Sequence, residues 1–111
     1  MANPVSRGDD IRLVVSDGDG PCVVQIIGEV DVATAPTVEH RLSALVESGT
    51  KEMVLDLSEM DFIDSTGLGV FVVILKRLKD QDGSIVLISP QPATRKVLSI
   101  TGLDKVLPIA E

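Results

Sequence analysis

Apolar residues recur with period two at Ile11, Leu13 and Val15, the pattern of a strand with one buried face. A strong turn signal, Asp17-Gly18-Asp19-Gly20-Pro21, follows, and Cys22 to Gly28 reads as a second strand. The two segments predict an antiparallel hairpin. After the loop from Glu29 to Pro36, Val38, Leu42, Leu45 and Val46 fall at i, i+4, i+7 and i+8, one face of an amphipathic helix. Thr34 suits its N-cap, Pro36 its first turn and Gly49 its end. Residues 53–57 and 84–88 each hold four apolar residues in five, which predicts strands buried on both faces. A helix from about Thr66 to Lys79 lies between them, so strand, helix and strand predict a right-handed crossover between parallel strands. A third helix, Pro92 to Ile100, stops at Gly102, and residues 106–109 offer a short last element. The order predicts an α/β domain over 11–111: a mixed, mostly parallel sheet with helices packed on it, entered through an antiparallel hairpin. Residues 1–10, polar and carrying Pro4 and Gly8, read as a loose N-terminal segment.

Composition narrows the function classes. The 111 residues make one domain, 44% apolar, with two Phe and neither Trp nor Tyr. The core is therefore aliphatic, and stacking on nucleic-acid bases is disfavoured. Ten basic residues against seventeen acidic leave a net charge of −7, a field that repels nucleic acid and anionic membranes alike. Cys22 stands alone, which excludes an internal disulfide and a cysteine zinc cluster, so no metal is expected. The first twenty residues lack the apolar core of a signal peptide. The longest uncharged apolar run, 65–75, is about half of a bilayer span. A cytoplasmic protein is the expectation.

The segment with the most chemistry is Asp61-Phe62-Ile63-Asp64-Ser65-Thr66-Gly67-Leu68-Gly69, where the chain leaves a strand and enters the second helix. Asp64, Ser65 and Thr66 are all capping types, so a plain helix start accounts for them. Gly67 and Gly69 follow where glycine weakens a helix, and bare backbone there opens access to Ser65. A helix N-terminus also tolerates a phosphate. Catalytic motifs fail on this segment. Ile63 replaces the first glycine of a nucleophile elbow, the sole histidine, His40, lies in the first helix, and no Gly-Lys-Ser/Thr loop is present. No enzyme is expected, and no cofactor.

Along the second helix, a rotation of about 100° per residue groups Leu68, Phe71, Val72, Leu75 and Leu78 on one face, and Val70, Val73 and Ile74 on the other. The first helix is expected to cover Ile74. Val70 and Val73, with Gly67 and Gly69 beside Ser65, are the expected partner contacts. Cys22 and His40 read as structural, and Glu39, Glu47 and Glu52 as a solvated face.

Gly28-Glu29-Val30-Asp31, Asp64 to Gly69, and Thr101-Gly102-Leu103-Asp104-Lys105 resemble, in order, three signatures of the STAS domain, and more narrowly of bacterial anti-sigma factor antagonists. The resemblance covers about residues 10–110. It implies a partner switch: the unphosphorylated protein binds an anti-sigma factor that is also a serine kinase, and so frees a sigma factor. The kinase, holding ATP and magnesium itself, then phosphorylates the antagonist, and a PP2C-type phosphatase resets it. Carried residue by residue, the resemblance makes Ser65 the phosphoacceptor, Asp31 the loop aspartate near it, Asp64 the motif aspartate and Thr66 a position that varies between serine and threonine. Asp31 and Asp64 are expected to border Ser65, each leaving a strand at one sheet edge. Capping and turn bonds account for the two aspartates equally well. The free protein is expected to be a monomer.

Two other readings differ in observable ways. A STAS scaffold subunit would be a stable oligomer and bind its partners in either phosphorylation state. An aspartyl-phosphate receiver, with Asp56 or Asp64 as acceptor, needs a lysine after the last parallel strand, where Ser89 and Pro90 stand.

Overall fold

A computed structural model describes residues 11–110. The expected loose segment, 1–10, lies outside the described residues.

The chain forms strands β1 (Arg12–Ser16) and β2 (Cys22–Val30), helix α1 (Ala35–Glu47), strands β3 (Glu52–Asp56) and β4 (Met60–Ile63), helix α2 (Ser65–Lys79), strand β5 (Ser84–Ile88), helix α3 (Pro92–Thr101), a 3-10 turn (Leu103–Lys105) and strand β6 (Ile109–Ala110). The sheet order is β1-β2-β3-β5-β6, with β4 also paired to β2. Among the described residues only β1 runs antiparallel to its neighbour, and every other pairing is parallel. The predicted hairpin, crossover and mixed sheet are all present.

Register explains the single core. Cys22, Met53 and Ile85 stand in one row across β2, β3 and β5, and Val24, Leu55 and Leu87 in the next. All six are buried, together with Val38, Leu42 and Val46 of α1 and Leu68, Phe71, Ile74 and Leu78 of α2. The intervening residues, Val23, Val54 and Val86, are only half-buried. This corrects the expectation that the central strands are buried on both faces. The β-branched residues on the second face fit strand geometry without demanding a covering layer.

Three local details bear on the site. α1 is broken off by Gly49, whose φ of +110° only glycine adopts without strain. Thr34 does sit at the N-cap of α1, but its hydroxyl makes no capping bond. It donates instead to the Glu29 carbonyl at 2.7 Å. Strand β4 was not foreseen. Four residues long and joined to β3 by a turn, it extends the sheet beside the end of β2, with a register shift at Gly28–Glu29.

Candidate functional site

Two neighbouring parallel strands end together and deliver the polar residues of interest. Val30 of β2 pairs with Ile63 of β4, so the next residues, Asp31 and Asp64, leave the sheet side by side. The Asp64 N–H donates to the Val30 carbonyl at 3.1 Å and ties the two exits. Asp64 has an extended backbone, φ −108° and ψ −173°, and its Oδ1 accepts from the Gly67 N–H at 3.0 Å. It is thus a working N-cap, and the helix begins at Ser65. Ser65 occupies the first helical position with its side chain exposed, as Thr66 does beside it.

Asp31 organises the adjoining loop. Its Oδ1 accepts from the Ala33 N–H at 2.9 Å and the Thr34 N–H at 3.1 Å, an Asx turn. Its own N–H donates to the Thr34 hydroxyl at 2.9 Å. Thr34 is almost fully buried, at 1% exposure, so its hydroxyl locks the turn from beneath. Both carboxylates therefore hold backbone: Asp64 caps the helix that Ser65 begins, and Asp31 holds the turn at the neighbouring strand exit.

The dipole of α2 favours an anion at its first turn, against the charge of its Asp64 cap. The first turn of α2 carries no acidic residue, and Lys76, Arg77 and Lys79 crowd its last turn. A phosphoryl group on the first helical residue would face the positive end of a 15-residue helix.

The surroundings differ from expectation at Val70, Val72 and Gly67. Val70 is buried and belongs to the core, as is Ile74, because α1 packs along α2 and widens its covered arc. Val72, expected on the inner face, is half-buried. Gly67 is also buried: a Cβ there would lie 2.7 Å from Cγ1 of both Val30 and Ile63. Its glycine lets α2 sit down on the sheet, rather than baring backbone to a visitor. Ser65, Gly69 and Val73, at i, i+4 and i+8, do form one exposed stripe. The structure adds Val32, 72% exposed next to Asp31, and Phe62, 47% exposed three residues before Ser65. The signals for both were an apolar residue inside a polar turn and one of only two aromatic residues in the chain.

Cys22 and His40 lie elsewhere. Cys22 opens β2, at the opposite end of the strand from Asp31, and is buried. Burial and the nearby Asp17 push its thiol pKa up, against a hydrogen bond with Thr50 that lowers it. His40 is exposed on α1. No three His, Cys, Asp or Glu side chains gather as a metal site among the described residues. No helix there is long and apolar enough to cross a membrane.

Residues 10–111 match the STAS domain family. The chain belongs to it. The STAS chain is 35% identical over 101 residues to the anti-sigma-B factor antagonist of Bacillus subtilis, covering 91% of this chain and 92% of that one. It is 33% identical over 88 residues to the anti-sigma-B factor antagonist of Staphylococcus aureus, covering 79% and 82%. Among solved structures, an anti-sigma factor antagonist from Mycobacterium paratuberculosis superposes with a TM-score of 0.83 at 34% identity, over 98% of this chain and 89% of the other. As a member of this family the chain is a regulatory binding protein, not an enzyme.

Proposed function

We propose that this STAS protein is a cytoplasmic anti-sigma factor antagonist switched by phosphorylation of Ser65. Unphosphorylated, it binds an anti-sigma factor that is also a serine kinase and thereby releases the sigma factor. The kinase brings ATP and magnesium, and a PP2C-type phosphatase restores the binding form; the antagonist needs no cofactor and is a monomer when free. The observation that carries this reading is the exposed Ser65 hydroxyl on the first position of α2, next to Asp64 and the Asp31 turn. The names of its relatives, anti-sigma-B factor antagonists, support the partner class.

The switch follows from local charge. Ser65, Thr66, Gly67 and Gly69 lie in one helix start, and the partner docks over Ser65, Gly69 and Val73. A phosphate adds about −1.5 to −2 charges there, beside two carboxylates. An apolar or acidic partner surface must then bury or oppose that charge, and the complex dissociates faster. Val70 contributes from beneath, by packing.

Intact mass and phosphosite mapping after incubation with the cognate anti-sigma kinase and ATP test the reading. One phosphate on Ser65, absent in Ser65→Ala, and a partner affinity that drops by at least about a hundredfold on phosphorylation are expected. Phosphate elsewhere, or equal affinity of the two forms, would overturn it.

A further inference from the structure

Thr34 is withdrawn from solvent, at 1% exposure, yet its hydroxyl does nothing for the helix it precedes. At an N-cap, a threonine ordinarily accepts from the N–H of the second or third helical residue. Here the hydroxyl serves the loop instead. It donates its one proton to the Glu29 carbonyl at 2.7 Å and accepts from the Asp31 N–H at 2.9 Å. The Asp31 carboxylate closes the same turn on the Ala33 and Thr34 N–H groups, at 2.9 and 3.1 Å. Between these clamps stands Val32, 72% exposed.

We propose that Thr34 is a positioning residue for partner binding: its buried hydroxyl fixes the Asp31 turn so that Val32 is held out as an apolar contact for the protein that docks over Ser65. The inference rests on the partner-binding reading above and adds a second point of contact, together with the residue that sets it. Single exposed valines are ordinary on protein surfaces. Val32 differs in that its backbone neighbours, Asp31 and Ala33, are both held by hydrogen bonds within the turn. A contact already ordered in the free protein loses less conformational freedom on binding, so more of its apolar burial is expressed as affinity.

The turn is also in reach. Val30 and Ile63 are paired neighbours, and Val32 and Ser65 each lie two residues beyond them. Their Cα atoms are therefore at most about 20 Å apart. A standard interface covers about 800 Å² of each partner, a patch roughly 30 Å across, so one protein spans both. The start of α1 does not depend on the hydroxyl, because the Ala35 and Val38 N–H groups bond the Asp31 and Thr34 carbonyls at 2.7 and 3.2 Å. Removing the hydroxyl therefore loosens the turn ahead of the helix.

Thr34→Val removes the hydroxyl and keeps the branched shape, while Thr34→Ser keeps the hydroxyl and loses the methyl group. Each unphosphorylated full chain is compared with wild type at a temperature where circular dichroism shows it folded. The quantities measured are affinity for the cognate anti-sigma kinase, and the KM and kcat of its phosphorylation. Thr34→Val should weaken the complex and raise KM by about fivefold or more with kcat within about twofold, and Thr34→Ser should stay within about threefold of wild type. Val32→Ser changes only an exposed side chain and carries the test even where Thr34→Val does not fold; it too should weaken the complex by about fivefold, at an unchanged melting temperature. Wild-type affinity and KM in Thr34→Val or in Val32→Ser would overturn the inference, as would equal losses in Thr34→Val and Thr34→Ser. Wild-type protein that gains no phosphate on Ser65 overturns the Ser65 reading instead, and the affinities of the unphosphorylated forms judge Thr34 without it.

Discussion

Gly67 and Gly69 stand two residues apart in one helix, yet the same substitution at each has opposite consequences. A methyl group on Gly67 would press on Val30 and Ile63 at 2.7 Å and on the Val30 carbonyl at 3.1 Å. Gly67→Ala is expected to cost about 1–3 kcal/mol, the usual penalty of overpacking. At Gly69 a Cβ meets nothing within 4 Å, and Gly69→Ala should gain up to about 1 kcal/mol from helix propensity. Denaturant midpoints of the two variants, at unchanged slope, measure both signs. Cys22 gives a pH prediction. Its thiol pKa is raised above the ordinary 9.0 in the folded chain, with burial the larger cause and Asp17 the smaller. The folded state thus holds the proton more tightly than the unfolded one. The stabilisation is complete below the unfolded thiol pKa and is lost as pH rises through the folded value. Stability should fall as pH rises past the ordinary thiol value of 9.0 in wild type, and less steeply in Cys22→Ala. Equal slopes in the two proteins would refute the assignment to Cys22.

Among the elements, the start of α2 shows what local sequence can and cannot reveal. Asp64, Ser65 and the helix itself were legible because capping chemistry and a 3.6-residue period are both written within a few positions. So were α1 and α3, bracketed by Pro36 and Gly49 and by Pro92 and Gly102. Strand β4 was not, since Met60-Asp61-Phe62-Ile63 is four residues long, exposes its middle pair and pairs through a bulge. The burial of Val70 was equally hidden, because it depends on where α1 crosses, and the need for glycine at 67 depends on Val30, far back in the chain. Thr34 looked like a simple cap and turned out to fasten the Asp31 loop. The cap on α2 makes its own prediction. Asp64→Ala removes the acceptor for the Gly67 N–H and should cost about 1 kcal/mol, whereas Asp64→Asn should retain most of that. Chemical denaturation compares the pair; equal losses would show that the charge, not the hydrogen bond, holds the helix start.

Over the whole molecule, charge sets how the proposed phosphorylation of Ser65 would be felt. The net charge of −7 sits on a body with a radius of gyration of 13.4 Å. At 0.01 M salt the Debye length is about 30 Å, so every acidic residue feels the rest; at 0.2 M it is shorter than about 10 Å. A phosphate on Ser65 adds about −1.5 to −2, and self-repulsion, which grows with the square of net charge, rises by roughly half or more. Against this, the positive end of α2 returns about 0.3–1 kcal/mol to an anion at its first turn. The two effects act over different ranges, and salt separates them. In 0.2 M salt the phosphorylated and unmodified proteins should unfold within about 3 °C of each other, a difference below about 0.7 kcal/mol for a domain of this size. In 0.01 M salt the phosphorylated form should unfold at the lower temperature, and both midpoints should rise as salt is added. Thermal scans at the two salt concentrations decide the matter. A small gap in high salt means that the modification changes what the surface binds while the fold stays intact, as a partner switch requires. A gap of 10 °C or more in high salt would mean that the phosphate breaks the Asp64–Gly67 cap or the Asp31 turn, and that loss of binding follows from loss of structure.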